Sequence, residues 1–105
     1  MAFKVLTARP GLWRSRTPTL YLICKKRTGA VVGMWGEAHR RDAVIRSMAQ
    51  SFPGQYGSAE VWAREVGGGT LEVWFNRPGL SLPECYRQEF EHALRGKLEA
   101  YRGIH

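Results

Sequence analysis

The feature that most constrains the fold is a predicted hairpin between residues 60 and 77. Two runs of alternating apolar and polar residues, 60–66 and 70–76, flank three consecutive glycines at 67–69. This pattern is typical of a β-hairpin with a glycine loop. If the glycines form the whole loop, the facing pairs are Val61 with Phe75, Trp62 with Trp74, and Arg64 with Glu72.

The predicted register separates the side chains of this hairpin by chemistry, because successive residues of a strand point to opposite faces. One face is apolar and is expected to be core; it carries Val61, Ala63, Leu71, Val73 and Phe75. The other face carries a cross-strand tryptophan pair beside an Arg64/Glu72 ion pair, both of which are favourable sheet contacts. The hairpin pattern therefore predicts part of the fold but does not indicate a reaction.

A second hairpin is predicted over residues 19–36, with a turn ending at Gly29. A three-residue loop pairs Tyr21 with Trp35 and Cys24 with Val32, whereas a two-residue turn shifts every partner by one. We prefer the first register, because it separates apolar from mixed side chains and reproduces the layout of the later hairpin.

Helical periodicity predicts one helix over Glu37–Phe52 and a second after Ser81-Leu-Pro-Glu84, where Ser81 can act as the N-cap. The first helix would bury a stripe that ends at Phe52. A short strand, Phe3–Thr7, precedes both hairpins and is expected at a sheet edge. The predicted fold is one α+β domain over residues 1–105. It has an antiparallel four- or five-stranded sheet in the order (β)ββαββα, with both helices on one face.

The positive charge is concentrated in the first half of the chain. The net charge is +7, and residues 1–52 hold ten bases and two acids, whereas residues 53–105 hold six bases and seven acids. Such a field attracts polyanions or an acidic protein surface. Arginine outnumbers lysine by twelve to four, so a GC-rich codon composition is an alternative explanation for the excess.

The expected localisation depends on two features: the length of the apolar runs and the composition of the N-terminus. Its longest apolar run is about five residues, against the roughly 20 that a spanning helix needs, and its N-terminus has no signal-peptide core. Cys24 and Cys85 have no metal-type spacing and are expected to be reduced. We therefore expect a cytoplasmic protein without a membrane partner.

No catalytic constellation is evident, and the prediction is a non-enzyme with no cofactor and no metal site. The histidines at 39, 92 and 105 lack partners at metal-ligand spacing. The glycine triplet is followed by a strand, whereas a phosphate loop precedes a helix.

The candidate binding residues are basic and aromatic. Those expected to hold nucleic-acid phosphate or another anionic partner are Arg14, Arg16, Lys25, Lys26, Arg27, Arg40 and Arg41. Those expected to stack on bases or contact a partner are Trp13, Tyr21, Trp35, Trp62, Arg64 and Trp74. Aromatic stacking combined with cationic side chains is typical of single-strand binding, whereas exposed aromatic patches also serve protein contacts.

The 19–36 hairpin and the helix after it contain Leu20-Tyr21-Leu22, the turn at Gly29, Val31-Val32-Gly33 and an arginine at 40 or 41. This segment resembles the start of a GIY-YIG nuclease domain. The resemblance covers about 20 residues, and here the first motif lacks its Gly and the second lacks its Tyr. It implies a metal-dependent nuclease, but it does not transfer the family's active site.

Three functional hypotheses follow. The first is a nucleic-acid-binding accessory or regulatory module that uses the basic half and the aromatic sheet face. The second is a protein-binding module or inhibitor, such as an adaptor, an antitoxin-like partner or a mobile-element protein acting on a host complex. The third is the nuclease. A homodimer formed through an edge strand is a further possibility.

Overall fold

A computed structural model of the chain describes residues 3–7, 18–65 and 70–103. These residues form a five-stranded sheet and two helices. The elements in chain order are β1 (Phe3–Thr7), β2 (Leu20–Lys25), β3 (Val31–Trp35), α1 (Ala38–Ser51), β4 (Tyr56–Glu65), β5 (Leu71–Phe75), a 3₁₀ turn (Glu84–Tyr86) and α2 (Arg87–Gly103). Among the described residues, no helix is both long and apolar enough to cross a membrane.

The strands are arranged in the order β1-β5-β4-β2-β3. Four of them, β5, β4, β2 and β3, pair antiparallel, and this confirms the predicted α+β class and element order. β1 lies at the edge, as expected, but it pairs parallel to β5. A parallel partner needs a long connection, and β2, β3, α1 and β4 all lie between β1 and β5 in the chain.

The hairpin formed by β4 and β5 has the predicted register. Trp62 faces Trp74, Arg64 faces Glu72, and the remaining pairs follow the same alignment. The alternating pattern sets this alignment, because a shift by one residue would move the whole apolar set to the other face.

The β2–β3 hairpin follows the preferred register at one end and departs from it at the other. Tyr21 faces Trp35 as predicted, but a bulge after Ile23 pairs Cys24 with Val31 instead of Val32. The bulge inserts one extra residue into β3. Consequently Val31, rather than Val32, is buried in the core.

The main core lies between α2 and the face of the sheet that carries Leu22, Val61 and Val73, here called the α2 face. Phe90 and Leu94 from α2 are fully buried against it. These buried positions agree with the helical periodicity that predicts this helix. Half-buried Glu91 and Arg95, four residues apart on α2, form an ion pair at 3.2 Å.

The expectation that both helices cover the same face is wrong. α1 contacts β2, β3 and β4, and its Arg41 side chain lies over Tyr21 and near Glu60. Tyr21 and Glu60 are paired residues on the face opposite to Leu22, here called the α1 face. No described α1 side chain belongs to the core under α2.

The connectivity explains this arrangement. β3 and β4 are both antiparallel to β2 and are therefore parallel to each other, so α1 is a crossover connection. Such crossovers are strongly biased to one hand, and this sets the face of α1 independently of where α2 packs. The α1 face is therefore not the open aromatic surface that the sequence suggested.

The segment before α2 does not form the predicted cap. Ser81 bridges to Ala30, its N–H donates to Gly29 O at 2.9 Å, and its carbonyl accepts from Val31 N–H at 2.9 Å. Ser81 thus extends the sheet beside β3, and no side chain caps the 3₁₀ turn that follows Pro83.

Candidate anion-binding site

Three consecutive cations lie at the end of β2 and form the basic turn, defined as Lys25, Lys26 and Arg27. Backbone bonds hold the turn in place: Gly29 N–H donates to Lys25 O at 2.8 Å, and Lys25 N–H donates to Ala30 O at 2.9 Å. Gly29 adopts φ +76°, a conformation that favours glycine. All three basic side chains are exposed. A hydrogen-bonded backbone turn therefore presents three charges to solvent.

The loop that joins α1 to β4 forms the second wall of the site. Lys26 N–H donates to Gln55 O at 3.0 Å, and Lys25 pairs with Tyr56 across the strands. A cavity of about 810 Å³, open to solvent, lies between the two segments. It is lined by Lys25, Lys26, Arg27, Thr28, Gly54, Gln55 and Tyr56.

Tyr56, which lines this cavity, forms an aromatic pair with Phe52. The rings of Phe52 and Tyr56 are 6.0 Å apart at 74°, an edge-to-face geometry. Phe52 is 46% exposed. Full burial of a Phe side chain contributes about 1.5–3 kcal/mol to stability. Because Phe52 is nearly half exposed, a ligand that covered its ring could gain roughly half of that free energy.

The prediction that Phe52 closes the buried stripe of α1 is wrong. α1 ends at Ser51, and Phe52 is its C-cap with φ −134° and ψ +66°. The chain leaves helical geometry at this residue, so the helical periodicity that predicted burial no longer sets its direction. The Pro53-Gly54 pair that ends the helix was visible in the sequence, but the exposure of Phe52 was not.

The basic turn is electrostatically uncompensated within the described part of the chain. Every ion pair found there uses other cations, and none includes Lys25, Lys26 or Arg27. Three adjacent positive charges therefore raise the local potential and favour an anion.

Arg40 and Arg41, predicted to share this site, lie elsewhere. Arg40 is exposed in the first turn of α1, whereas the basic turn lies near the other end of that helix, roughly 20 Å away by helical rise. Arg41 is only 5% exposed. Its Nη1 donates to Leu22 O at 3.2 Å and to Ala59 O at 2.8 Å, and its Nε donates to Asp42 at 2.7 Å. The predicted contact of Arg41 with phosphate does not fit this geometry.

The aromatic residues predicted on the sheet are largely engaged within the fold. Trp62 is buried, and Tyr21 lies under the Arg41 guanidinium at 5.4 Å. Trp35 is half-buried; its ring lies across Gly33, where an added Cβ would approach it to 2.4 Å.

Trp74 and Arg64 form a cluster of their own on β5 and β4. The Arg64 guanidinium lies 5.4 Å from the Trp74 ring centre and bonds to Glu72 at 2.8 Å. This cluster is the predicted cross-strand group, and it does not join the basic turn. The remaining predicted contacts, Trp13, Arg14 and Arg16, lie outside the described residues.

Comparisons with known proteins add no functional information. No family model, no curated protein and no solved structure matches this chain. Within residues 3–7, 18–65 and 70–103, no three His, Cys, Asp or Glu side chains are grouped so that they could hold a metal ion.

Proposed function

We propose that this protein is a small non-enzymatic nucleic-acid-binding module that holds phosphate groups with the basic turn. The observation that carries the proposal is the convergence of Lys25, Lys26 and Arg27 on one cavity wall, with no ion-pair partner among the described residues. Cations of this kind supply the sequence-independent part of nucleic-acid affinity.

A second property of the site supports the same proposal. Its other wall is formed by Gly54, Gln55 and Tyr56, and the Tyr56 ring packs against Phe52. An aromatic surface beside cations accommodates a base and a phosphate together, whereas a small inorganic anion would use only the cations.

The test is a titration of labelled nucleic acid at two salt concentrations. Three phosphate contacts to a single strand predict a slope of about −2 in log affinity against log salt, so a fourfold rise in salt lowers affinity about 20-fold. The double variant Lys26→Gln/Arg27→Gln should bind more weakly and with a shallower slope.

The matched control is Arg40→Gln/Arg46→Gln, which removes the same charge from exposed positions on α1. It should retain most of the affinity. Absence of binding at low salt, or equal losses in both double variants, would refute the proposal.

A second candidate function is docking onto an acidic protein surface. The observation in its favour is that β1 lies at a sheet edge, with β5 as its strand partner, and edge strands can accept a strand from another chain. A pull-down that retains one stoichiometric protein after nuclease treatment would support it. Light scattering would separately show whether the added strand comes from a second copy.

A further inference from the structure

We infer that the basic turn and Phe52 together form a single-strand site in which an unstacked base packs on the Phe52 ring. This inference rests on the proposed function and narrows it from nucleic acid in general to single strands. It assigns a role to Phe52, for which helical spacing predicted burial in the core.

The position of Phe52 in the fold supports this role. It directly follows α1 on the α1 face, and its ring contacts Tyr56, whose strand neighbour across the sheet is Lys25. A stacked base on this ring therefore lies beside the first cation of the basic turn. Gly54, the next residue but one, has no atom within 4 Å of the place where a side chain would begin, so the approach along the loop is open.

The geometry of the aromatic pair leaves a stacking surface available. In a perpendicular pair, at most one face of one ring is covered by the other ring. Phe52 is nearly half exposed, so its side chain offers contact area to a planar group. Phe has no hydrogen-bonding atom, and contact through such a ring is tolerant of base identity.

The same geometry disfavours a duplex as the preferred ligand. In a duplex the base faces are stacked on one another, and only base edges are accessible in the grooves. Stacking of Phe52 on a paired base would first require the base step to be unstacked, at a cost of a few kcal/mol, whereas an unpaired base needs no such step. We therefore expect the phosphate contacts to be common to both ligands and the stacking contribution to be specific to single strands.

The experiment compares three labelled probes by fluorescence anisotropy at low salt. The probes are a thymidine oligomer of about 12 nucleotides, within the span of known single-strand sites, an abasic strand of equal length, and a duplex of equal length. Stacking of one base predicts that the wild-type protein binds the thymidine strand about five- to 150-fold more tightly than the abasic strand.

Variants at position 52 measure how much the aromatic ring contributes to the preference for the thymidine strand. Phe52→Ala and Phe52→Leu should both remove the preference for the thymidine strand, and Phe52→Trp should keep it. The Leu variant keeps most of the apolar bulk, so it reports on stacking even if the Ala variant is less stable. Binding of the abasic strand should be unchanged in all three variants.

The outcomes separate this inference from the proposed function. Salt-dependent binding without any preference for bases, or a preference that survives in the Leu and Ala variants, overturns the inference and leaves the basic turn as a phosphate site. No binding of any probe at low salt overturns both.

Discussion

Replacement of Arg41 by alanine should destabilise the fold strongly, although nothing in the sequence separates this residue from its neighbour Arg40. Arg41 is 5% exposed, and its Nη1 bonds to two sheet carbonyls. A hydrogen bond from a charged donor contributes roughly 1.5–3 kcal/mol, and the energy of keeping the charge away from water offsets part of this. The contact with half-exposed Asp42 adds little. We expect a loss of about 3 kcal/mol in the free energy of unfolding.

Urea and thermal unfolding followed by circular dichroism would measure this loss. For a domain of this size, about 3 kcal/mol corresponds to a fall in Tm of roughly 12–20 °C. Arg40→Ala is the matched control and should change stability by no more than about 0.5 kcal/mol, as is usual for exposed positions. Arg41→Lys should give an intermediate loss, because lysine keeps the charge but lacks the planar fork. A loss below about 1 kcal/mol for Arg41→Ala would refute this reasoning.

Two further predictions concern positions with matched internal controls. Gly29→Ala should cost several kcal/mol in unfolding free energy, because its new Cβ would lie 2.0 Å from Gly79 O. Gly54→Ala, which shares the positive φ but meets nothing within 4 Å, should cost only about 1–2 kcal/mol; equal losses in urea unfolding would contradict this. In the folded protein a thiol reagent should label Cys85, which is exposed, and spare Cys24, which is buried. Rapid labelling of both thiols without denaturant would contradict the burial of Cys24.

The pairing of β4 with β5 was predictable because the relevant signals are local. The alternating pattern predicts Trp62 opposite Trp74 and Arg64 opposite Glu72, and the strands pair in this register. The helices were predictable for a similar reason: the apolar spacing of α2 matches its buried positions Phe90 and Leu94. These features depend on interactions that a short stretch of sequence specifies.

The face on which α1 packs was not predictable from its composition. It follows from the parallel relation of β3 and β4, which arises only when β2 lies between them. The same arrangement places Arg41 against two strands. The sequence does not distinguish exposed Arg40 from buried Arg41, because the burial of Arg41 depends on long-range packing of α1 against the sheet.

The candidate site was partly predictable. The three cations of the basic turn are consecutive and precede a glycine turn, so their exposure follows from local rules. Phe52 and Tyr56 were not identified, because their proximity to the turn depends on α1 returning along the sheet to the end of β2. The direction of α1 is set by the crossover connection between β3 and β4.

Mapping of the bound nucleic acid by amide chemical shifts tests the central claim most directly. Titration of the ¹⁵N-labelled protein with a thymidine oligomer should shift the amides of residues 25–28, 52 and 54–56 and leave the first turn of α1, including Arg40, unchanged. Shifts confined to Arg40 and its neighbours, or to the Arg64/Trp74 cluster, would contradict the assignment of the binding site to the basic turn.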